Sequence, residues 1–167
     1  LWDSILQPGV ADGGKLPKDD IGLLNEWIPL DEAGDNLVDA AWAIIFTNFA
    51  YRVGIMGLGA VKGKRLIADV GLEVQKVGRT TGLLTSKVFD NSATILVGYG
   101  ALTLRFVNQL IAAPSMSKPG DSGSLVLDMG RQAVGLLFAG SDKVTLANPI
   151  AIVLDRLKLE IIGEVGF

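Results

Sequence analysis

The sequence predicts an all-β domain that ends in a single α-helix. Short runs of β-type residues recur along the chain, most of them bounded by Gly, Asn, Asp or Ser, and this spacing is typical of a β-barrel or β-sandwich. Helical periodicity is confined to the C-terminal part of the chain. The predicted strands cover residues 38–45, 73–77, 84–89, 93–99, 102–106, 124–127, 133–138 and 143–147.

The N-terminal part of the chain is organised more loosely. Residues 1–30 are rich in Gly, Pro and Asp, which favour turns and surface loops with short extended pieces. Residues 21–27 are predicted to form either a short strand or a helical turn. The glycine-rich segment 54–64 is interpreted as a linker. It does not fit a phosphate-binding loop, because Gly63 follows Gly57 by six positions where that motif needs five.

The C-terminal helix is predicted from its boundaries and its periodicity. Asn148 suits the N-cap and Pro149 suits the first helical position. Apolar residues then recur at helical spacing from Ile150 to Leu157, so the helix is expected to run to about residue 159.

Length and charge bound the kinds of partner. A chain of 167 residues suits one domain or two small subdomains that share an interface. Fifteen basic and eighteen acidic residues give a net charge of −3 without a concentrated basic face, so no nucleic-acid partner is expected. No membrane partner is expected either, because every apolar run is too short to cross a bilayer.

The chain contains neither cysteine nor histidine. Disulfides, thiolate metal sites and imidazole zinc sites are therefore excluded, and no metal or other cofactor is expected. The commonest general base is also missing. Because the sequence opens on Leu1-Trp2-Asp3, without an initiator Met or a signal-peptide pattern, we expect it to begin within a longer protein, and its localisation stays unknown.

The sharpest chemical signal is Gly120-Asp121-Ser122-Gly123-Ser124, which a predicted strand follows. A serine nucleophile needs an exposed hydroxyl on a tight turn and two backbone N–H groups directed at the developing oxyanion. Glycines permit that backbone shape, and the N–H groups of Gly120 and Ser122 are the expected oxyanion hole. An ordinary β-turn is the alternative. The nucleophile elbow of α/β-hydrolases does not fit, because Ser124 replaces its last glycine and no helix follows.

Three segments together resemble the trypsin-like, or chymotrypsin-fold, serine peptidases, particularly their cysteine-free bacterial-type branch. Residues 120–123 match the nucleophile motif, residues 38–41 resemble the aspartate motif, and residues 78–82 resemble the turn that opens the second barrel. The resemblance spans about residues 35–160. It implies a two-barrel fold with an incomplete first barrel and a C-terminal helix. Residues 1–70 are then the remainder of the first barrel plus a linker, and residues 71–167 are the second barrel with the helix.

The resemblance also implies the site. Ser122 is the expected nucleophile of a serine endopeptidase that acts on a peptide or protein, and Asp39 is the expected partner of a histidine. A simple role for Asp39 in accepting turn hydrogen bonds is the alternative. No acidic residue stands six positions before Ser122, so we expect the primary pocket to prefer apolar or small side chains. The substrate-binding residues implied by the resemblance are Met116, Phe138, Ala139, Gly140 and Asn148.

The missing histidine has three explanations. The histidine lies in a segment upstream of Leu1, or the protein is an inactive relative, or Lys118 serves as the base for Ser122. We expect this chain alone to be inactive and to self-associate through exposed first-barrel surface. The alternative function is a non-catalytic pseudopeptidase, a binding module that holds an extended peptide by strand addition.

Overall fold

A computed structural model describes residues 3–48 and 53–162, and it confirms the all-β fold with one C-terminal helix. The predicted strand at 38–45 begins three residues later than expected, and the segment 21–27 lies within a strand. A short 3-10 turn covers Val10–Asp12. The strands and the helix, numbered in chain order, are β1 Ser4–Leu6, β2 Asp20–Trp27, β3 Asp35–Asn36, β4 Ala41–Ile45, β5 Glu73–Gly78, β6 Gly82–Tyr99, β7 Leu102–Ala113, β8 Leu125–Asp128, β9 Ala133–Gly140, β10 Thr145–Pro149 and α1 Ile150–Leu157.

The N-terminal strands form a small antiparallel sheet in the order β1-β2-β4. Gly22 in β2 lies opposite Ile45, and a side chain there would place its Cβ 2.2 Å from the Ile44 carbonyl oxygen, so this position requires glycine. The sheet leaves Trp27 60% exposed and Ile44 50% exposed. Its apolar side chains are thus only partly covered.

The remaining strands form a seven-stranded sheet in the order β10-β9-β8-β5-β6-β7-β3. β10 also pairs with β7, which closes the six strands β5 to β10 into a barrel and leaves β3 paired to β7 outside the ring. The runs 84–89 and 93–99 were predicted as separate strands, but they belong to the single strand β6. Between them the register is irregular, and the Ser92 N–H donates to the side chain of Asp90 at 2.9 Å, so the polar residues form a bulge instead of a turn.

The short strand β3 joins this barrel by parallel pairing with β7, where Asp35 lies opposite Arg105. The chain that leaves β3 buries Val38 and Ala40 against the helix, among Leu127, Ala133 and the apolar face of α1. Because successive side chains of extended backbone point to opposite sides, the intervening Asp39 faces away from this core.

The helix buries the residues that periodicity predicted, namely Ile150, Val153, Leu154 and Leu157. The prediction of Asn148 as its N-cap is wrong. Pro149 occupies that position and makes no side-chain cap hydrogen bond, while Asn148 is a fully buried residue of β10. Its carboxamide is engaged elsewhere, by Gln109 and by the backbone of Asp39.

The predicted linker at 54–64 packs onto the barrel. Ile55 bridges Gly59, Lys64 bridges Ala133, and the N–H of Ala133 donates to Gly63 at 2.8 Å. The division of the chain near residue 70 stays a prediction. Within the described ranges, no helix is both long enough and apolar enough to cross a membrane.

Candidate active site

The turn that carries Ser122 has an unusual backbone. Gly120 and Gly123 adopt φ values of +98° and +87°, in the left-handed region that favours glycine. The N–H groups of Asp121, Gly123 and Ser124 all donate to backbone carbonyls. Among the described residues, the N–H groups of Gly120 and Ser122 have no such acceptor. The turn therefore presents two free donors beside an exposed serine.

Asp121 fixes the turn from below and is fully buried. Its carboxylate accepts hydrogen bonds from the N–H groups of Thr80 at 2.8 Å and Lys118 at 2.9 Å, and from the Thr81 hydroxyl at 2.7 Å. Burial alone would raise the pKa of Asp121. The hydrogen bonds from Thr81, Lys118 and Thr80 outweigh that effect and hold the pKa well below its ordinary value.

A buried cation completes this network. The Lys76 ammonium lies 3.4 Å from the Asp121 carboxylate, and both side chains are 0% exposed. Lys76 also donates to the Gly82 carbonyl at 3.0 Å and to the Thr81 hydroxyl, so all three of its N–H donors have acceptors. The nucleophile turn thus stands on a fully satisfied, charge-paired platform.

The hydroxyl of Ser122 lies at the edge of a groove of about 1010 Å³. In the described structure its Oγ donates to the carbonyl of Phe138 at 3.3 Å. Apolar side chains from the hairpin of β6 and β7 form much of one wall. Residues that line the groove include Thr81, Leu84, Ile95, Leu96, Ser115, Ser117, Lys118, Leu137, Ala139, Gly140, Asp142 and Val144.

The structure places the five predicted substrate-binding residues differently from one another. Ala139 and Gly140 line the groove together with Ser122. Phe138 contributes its carbonyl, but its ring packs against Phe106 with centroids 4.9 Å apart. Met116 is 1% exposed in the barrel core, and Asn148 is 0% exposed. Neither of those two lines the groove.

A hydroxyl cluster that sequence reasoning missed lies beneath the groove. The buried Thr145 hydroxyl accepts from the Met116 N–H at 2.9 Å and lies 2.7 Å from the Ser117 hydroxyl and 3.4 Å from that of Ser115. The alternation Ser115-Met116-Ser117 was the available signal, because it places the two serines on the side opposite the buried methionine. The same reasoning missed Asp142, an exposed acidic residue at the groove.

Asp39 is half-buried and receives its side-chain contacts from the six-stranded barrel of β5 to β10. Its carboxylate Oδ2 accepts a hydrogen bond from the Tyr99 hydroxyl, and its N–H donates to Asn148 Oδ1 at 3.1 Å. Burial, together with this bond to Asp39, holds the pKa of Tyr99 well above its ordinary value. No hydrogen bond joins Asp39 to Ser122 in the described part of the chain.

The described residues form no cluster of metal-ligating side chains. Across residues 3–48 and 53–162, no three Asp or Glu residues converge as a group that would hold a metal ion.

A small antiparallel sheet, a closed six-stranded barrel and a C-terminal helix match the chymotrypsin fold of the serine peptidases, and the Gly-Asp-Ser-Gly turn lies beside a groove. The comparisons with known proteins agree. The chain is 33% identical over 133 residues to Serine protease 2 of Streptomyces fradiae, a match that covers 80% of this chain and 64% of that protein. The chain therefore spans less than two thirds of this relative.

Solved structures show the same fold. The chymotrypsin of Cellulomonas bogoriensis superposes with a TM-score of 0.67 at 23% identity, over 85% of this chain and 75% of that one. Protease A of Thermobifida fusca superposes with a TM-score of 0.66 at 22% identity, over 85% and 74% respectively. No protein-family model matches the chain. The predicted resemblance to bacterial trypsin-like serine peptidases is confirmed.

Proposed function

We propose that this chain is the larger part of a serine endopeptidase in which Ser122 attacks the carbonyl of a peptide bond. One observation carries the proposal: an exposed serine hydroxyl stands beside a groove on a turn that a buried Asp121–Lys76 pair holds rigid. A nucleophile must keep its position while charge develops on the attacked oxygen, and a satisfied buried network supplies that rigidity.

The oxyanion would form between the N–H groups of Gly120 and Ser122. Their freedom from backbone acceptors supports this role, because every neighbouring N–H of the turn is already engaged. Gly120 has no side chain to obstruct the groove. A Cβ there would approach the Thr80 hydroxyl to 2.5 Å and the Arg79 guanidinium to 2.9 Å.

The base is the part of the triad that these residues do not supply. Asp39 would orient a histidine, and the histidine would take the Ser122 proton and return it to the leaving amine. Because the chain has no histidine, we propose that it is inactive alone and that the imidazole comes from a segment outside these 167 residues. Lys118 stays the alternative base, since it lines the same groove as Ser122.

The substrate is proposed to be a peptide or protein with an apolar or small side chain at the cleavage site. Leu137, Ala139 and Val144 line the groove near Ser122, and none of the described residues that line it is a buried carboxylate. Among those residues, Asp142 is the one carboxylate that could pair with an Arg or Lys side chain; it is exposed, and an exposed ion pair contributes little.

A fluorophosphonate probe tests the proposal, because it labels only activated serines. The 167-residue chain should stay unlabelled. A form of the protein extended upstream should label at Ser122, and replacing one upstream histidine should abolish the labelling. Ser122→Ala should remove the label, whereas Ser124→Ala, which deletes a hydroxyl two residues away, should retain it. Labelling of the 167-residue chain that Lys118→Met abolishes would instead assign the base to Lys118.

A second candidate function is a pseudopeptidase that binds an extended peptide without cleaving it. It is favoured by the hydrogen bond from Ser122 Oγ to the Phe138 carbonyl, which leaves the hydroxyl engaged with the backbone instead of with a base. In that case the extended protein would bind an apolar peptide but stay unlabelled. Peptide affinity measured by calorimetry alongside the labelling distinguishes the two functions.

A further inference from the structure

Two buried carboxamides, Gln109 and Asn148, hold the backbone around Asp39; we call this pair the carboxamide clamp. Asn148 Nδ2 donates to Gln109 Oε1 at 2.7 Å, which joins β10 to β7. Gln109 Nε2 donates to the Leu37 carbonyl at 2.9 Å, and Asn148 Oδ1 accepts from the Asp39 N–H at 3.1 Å. The clamp therefore forms hydrogen bonds with the backbone on both sides of Val38, at Leu37 and at Asp39.

Each nitrogen and oxygen of the two carboxamides has a hydrogen-bond partner. Gln109 uses its second N–H on the Val107 carbonyl at 2.7 Å, and both carboxamides are 0% exposed. Burying such groups is unfavourable unless they are hydrogen-bonded, and these bonds together favour one orientation of each amide. Turning either amide over would set donor against donor or acceptor against acceptor. The backbone of Asp39 is thus set by residues that lie 70 and more positions away in sequence.

The carboxylate is held separately. Tyr99, at the end of β6, donates its hydroxyl to Asp39 Oδ2, and its ring stacks on Phe106 with centroids 6.1 Å apart. Among the described residues, no group donates to the other oxygen, Oδ1. One carboxylate oxygen is fixed and the other is available.

We propose that Gln109, Asn148 and Tyr99 are positioning residues for Asp39: the clamp sets its backbone, and the Tyr99 phenol fixes its carboxylate so that Oδ1 can accept from an imidazole. This inference rests on the proposed function, in which Asp39 orients a histidine. It assigns to strands β6, β7 and β10 of the barrel the task of placing the carboxylate that follows β3, so Asp39 takes its position before any histidine contacts it.

Tyr99 itself reports the position of the carboxylate. Asp39 is the charged group against its phenol, and the Phe106 ring on its face is neutral. In a Tyr51→Phe background, where Tyr99 is the only tyrosine, near-ultraviolet absorbance measures tyrosinate directly. At about pH 11 an exposed tyrosine is mostly ionised, whereas burial and the bond to Asp39 should leave Tyr99 less ionised. Asp39→Asn should lower its titration midpoint by about one pH unit.

The clamp variants are the decisive arm. Gln109→Met and Asn148→Leu keep side-chain volume but release the backbone at Leu37 and Asp39, so each should raise the tyrosinate fraction at about pH 11. The matched control is Gln75→Met, which removes a buried carboxamide that donates to the Asp128 carbonyl at 3.0 Å, away from Asp39. The control should lose stability similarly and leave the Tyr99 titration unchanged. Circular dichroism at the same pH checks that each variant is folded.

Two outcomes would overturn the inference. One is a Tyr99 titration that Asp39→Asn or the clamp variants leave unmoved, or that Gln75→Met moves equally. The other is loss of folding in both clamp variants while Gln75→Met folds, which would assign the clamp to the fold alone. Neither outcome depends on fluorophosphonate labelling. An unlabelled protein with the expected Tyr99 titrations would reject the peptidase activity and keep the positioning of Asp39.

Discussion

The two regions that supply Ser122 and Asp39 are built in different ways. The Ser122 turn rests on Asp121 and Lys76, both fully buried, and these supporting contacts come from strands β5 to β10 and the loops between them. Asp39 follows the short strand β3 and is held by side chains of that same barrel, not by the N-terminal sheet to which β4 belongs. The Ser122 turn is therefore supported by contacts within its own barrel. Asp39 depends on side chains of that barrel, although it lies in the segment between β3 and β4.

The difference extends to the apolar surface. In β4, Ile44 is 50% exposed and Ile45 is 48% exposed, although successive side chains of a strand point to opposite faces. Neither face of that strand is well covered. The barrel around Ser122 buries Val74, Leu127 and Leu137 to 2% exposure or less. The apolar surface of the N-terminal sheet is therefore far less covered than the core of the barrel around Ser122.

The largest effect is expected from Lys76→Met. The substitution leaves the Asp121 carboxylate buried without its cation, which costs about 3–5 kcal/mol. Urea denaturation measures the change. Lys87→Met is the matched control, because Lys87 pairs with Glu73 at 3.4 Å where both side chains are exposed, and such pairs contribute about 0–1 kcal/mol. Equal losses in the two variants would contradict the platform described for Ser122.

Gly120→Val should remove activity while the fold survives. A β-branched residue at φ +98° is strained, and its Cβ would enter the space of the Thr80 hydroxyl, so we expect a loss of about 1–3 kcal/mol. Fluorophosphonate labelling of the extended protein should disappear. Gly100→Val is the control for backbone strain, because φ is +62° there and a Cβ meets nothing within 4 Å. Retained labelling in Gly120→Val would remove the oxyanion role.

The sequence could predict features that depend on neighbouring residues, but not those that depend on contacts between distant residues. The Ser122 turn is contiguous, so its glycines were visible at once. Lys76 gave no such signal, because a lysine in a strand is ordinarily exposed to solvent. Its ammonium group is buried here because Thr81 and Asp121 supply hydrogen-bond acceptors for it. Asn148 was assigned to a helix cap by its neighbour Pro149. Its actual partner, Gln109, is 39 residues away, beyond any local pattern.

The strand β6 teaches the same lesson. Asn91 and Ser92 carry a turn signal, but pairing with β7 continues past them and Ala93 lies opposite Gln109. Tertiary pairing thus overrode local preference. The resemblance to trypsin-like peptidases implied that Met116 would lie in the pocket. The bond from its N–H to the Thr145 hydroxyl, 29 residues on, turns its side chain into the core.

Acid should weaken the Ser122 platform through Asp121. Hydrogen bonds hold its folded pKa below the unfolded value of about 3.9, so its contribution to stability is complete above that value and is lost as the pH falls towards the folded pKa. The free energy of unfolding should therefore fall with decreasing pH below about pH 4. In Asp121→Asn this fall should be shallower, as urea denaturation at a series of pH values would measure. Identical slopes would remove Asp121 as the cause.

The smallest effect on stability is expected at the N-terminal sheet, where the effect on association is large. In the sheet order β1-β2-β4, strand β4 pairs only with β2 among the described strands, so its other edge is open. An open edge flanked by exposed apolar side chains favours pairing between copies of a chain. Ile44→Lys should change the free energy of unfolding by no more than about 0.5 kcal/mol, because Ile44 is half exposed, yet the charge of the new lysine should prevent edge pairing.

Analytical ultracentrifugation should show concentration-dependent association of the parent chain and its loss in the variant. Leu66→Lys serves as the control, since Leu66 is 70% exposed but lies outside the N-terminal sheet. Loss of association in both variants would point to general surface hydrophobicity. A parent chain that stays monomeric would show that the open edge of β4 does not pair with another copy. The two regions would then differ in how much apolar surface they expose, but not in their tendency to associate.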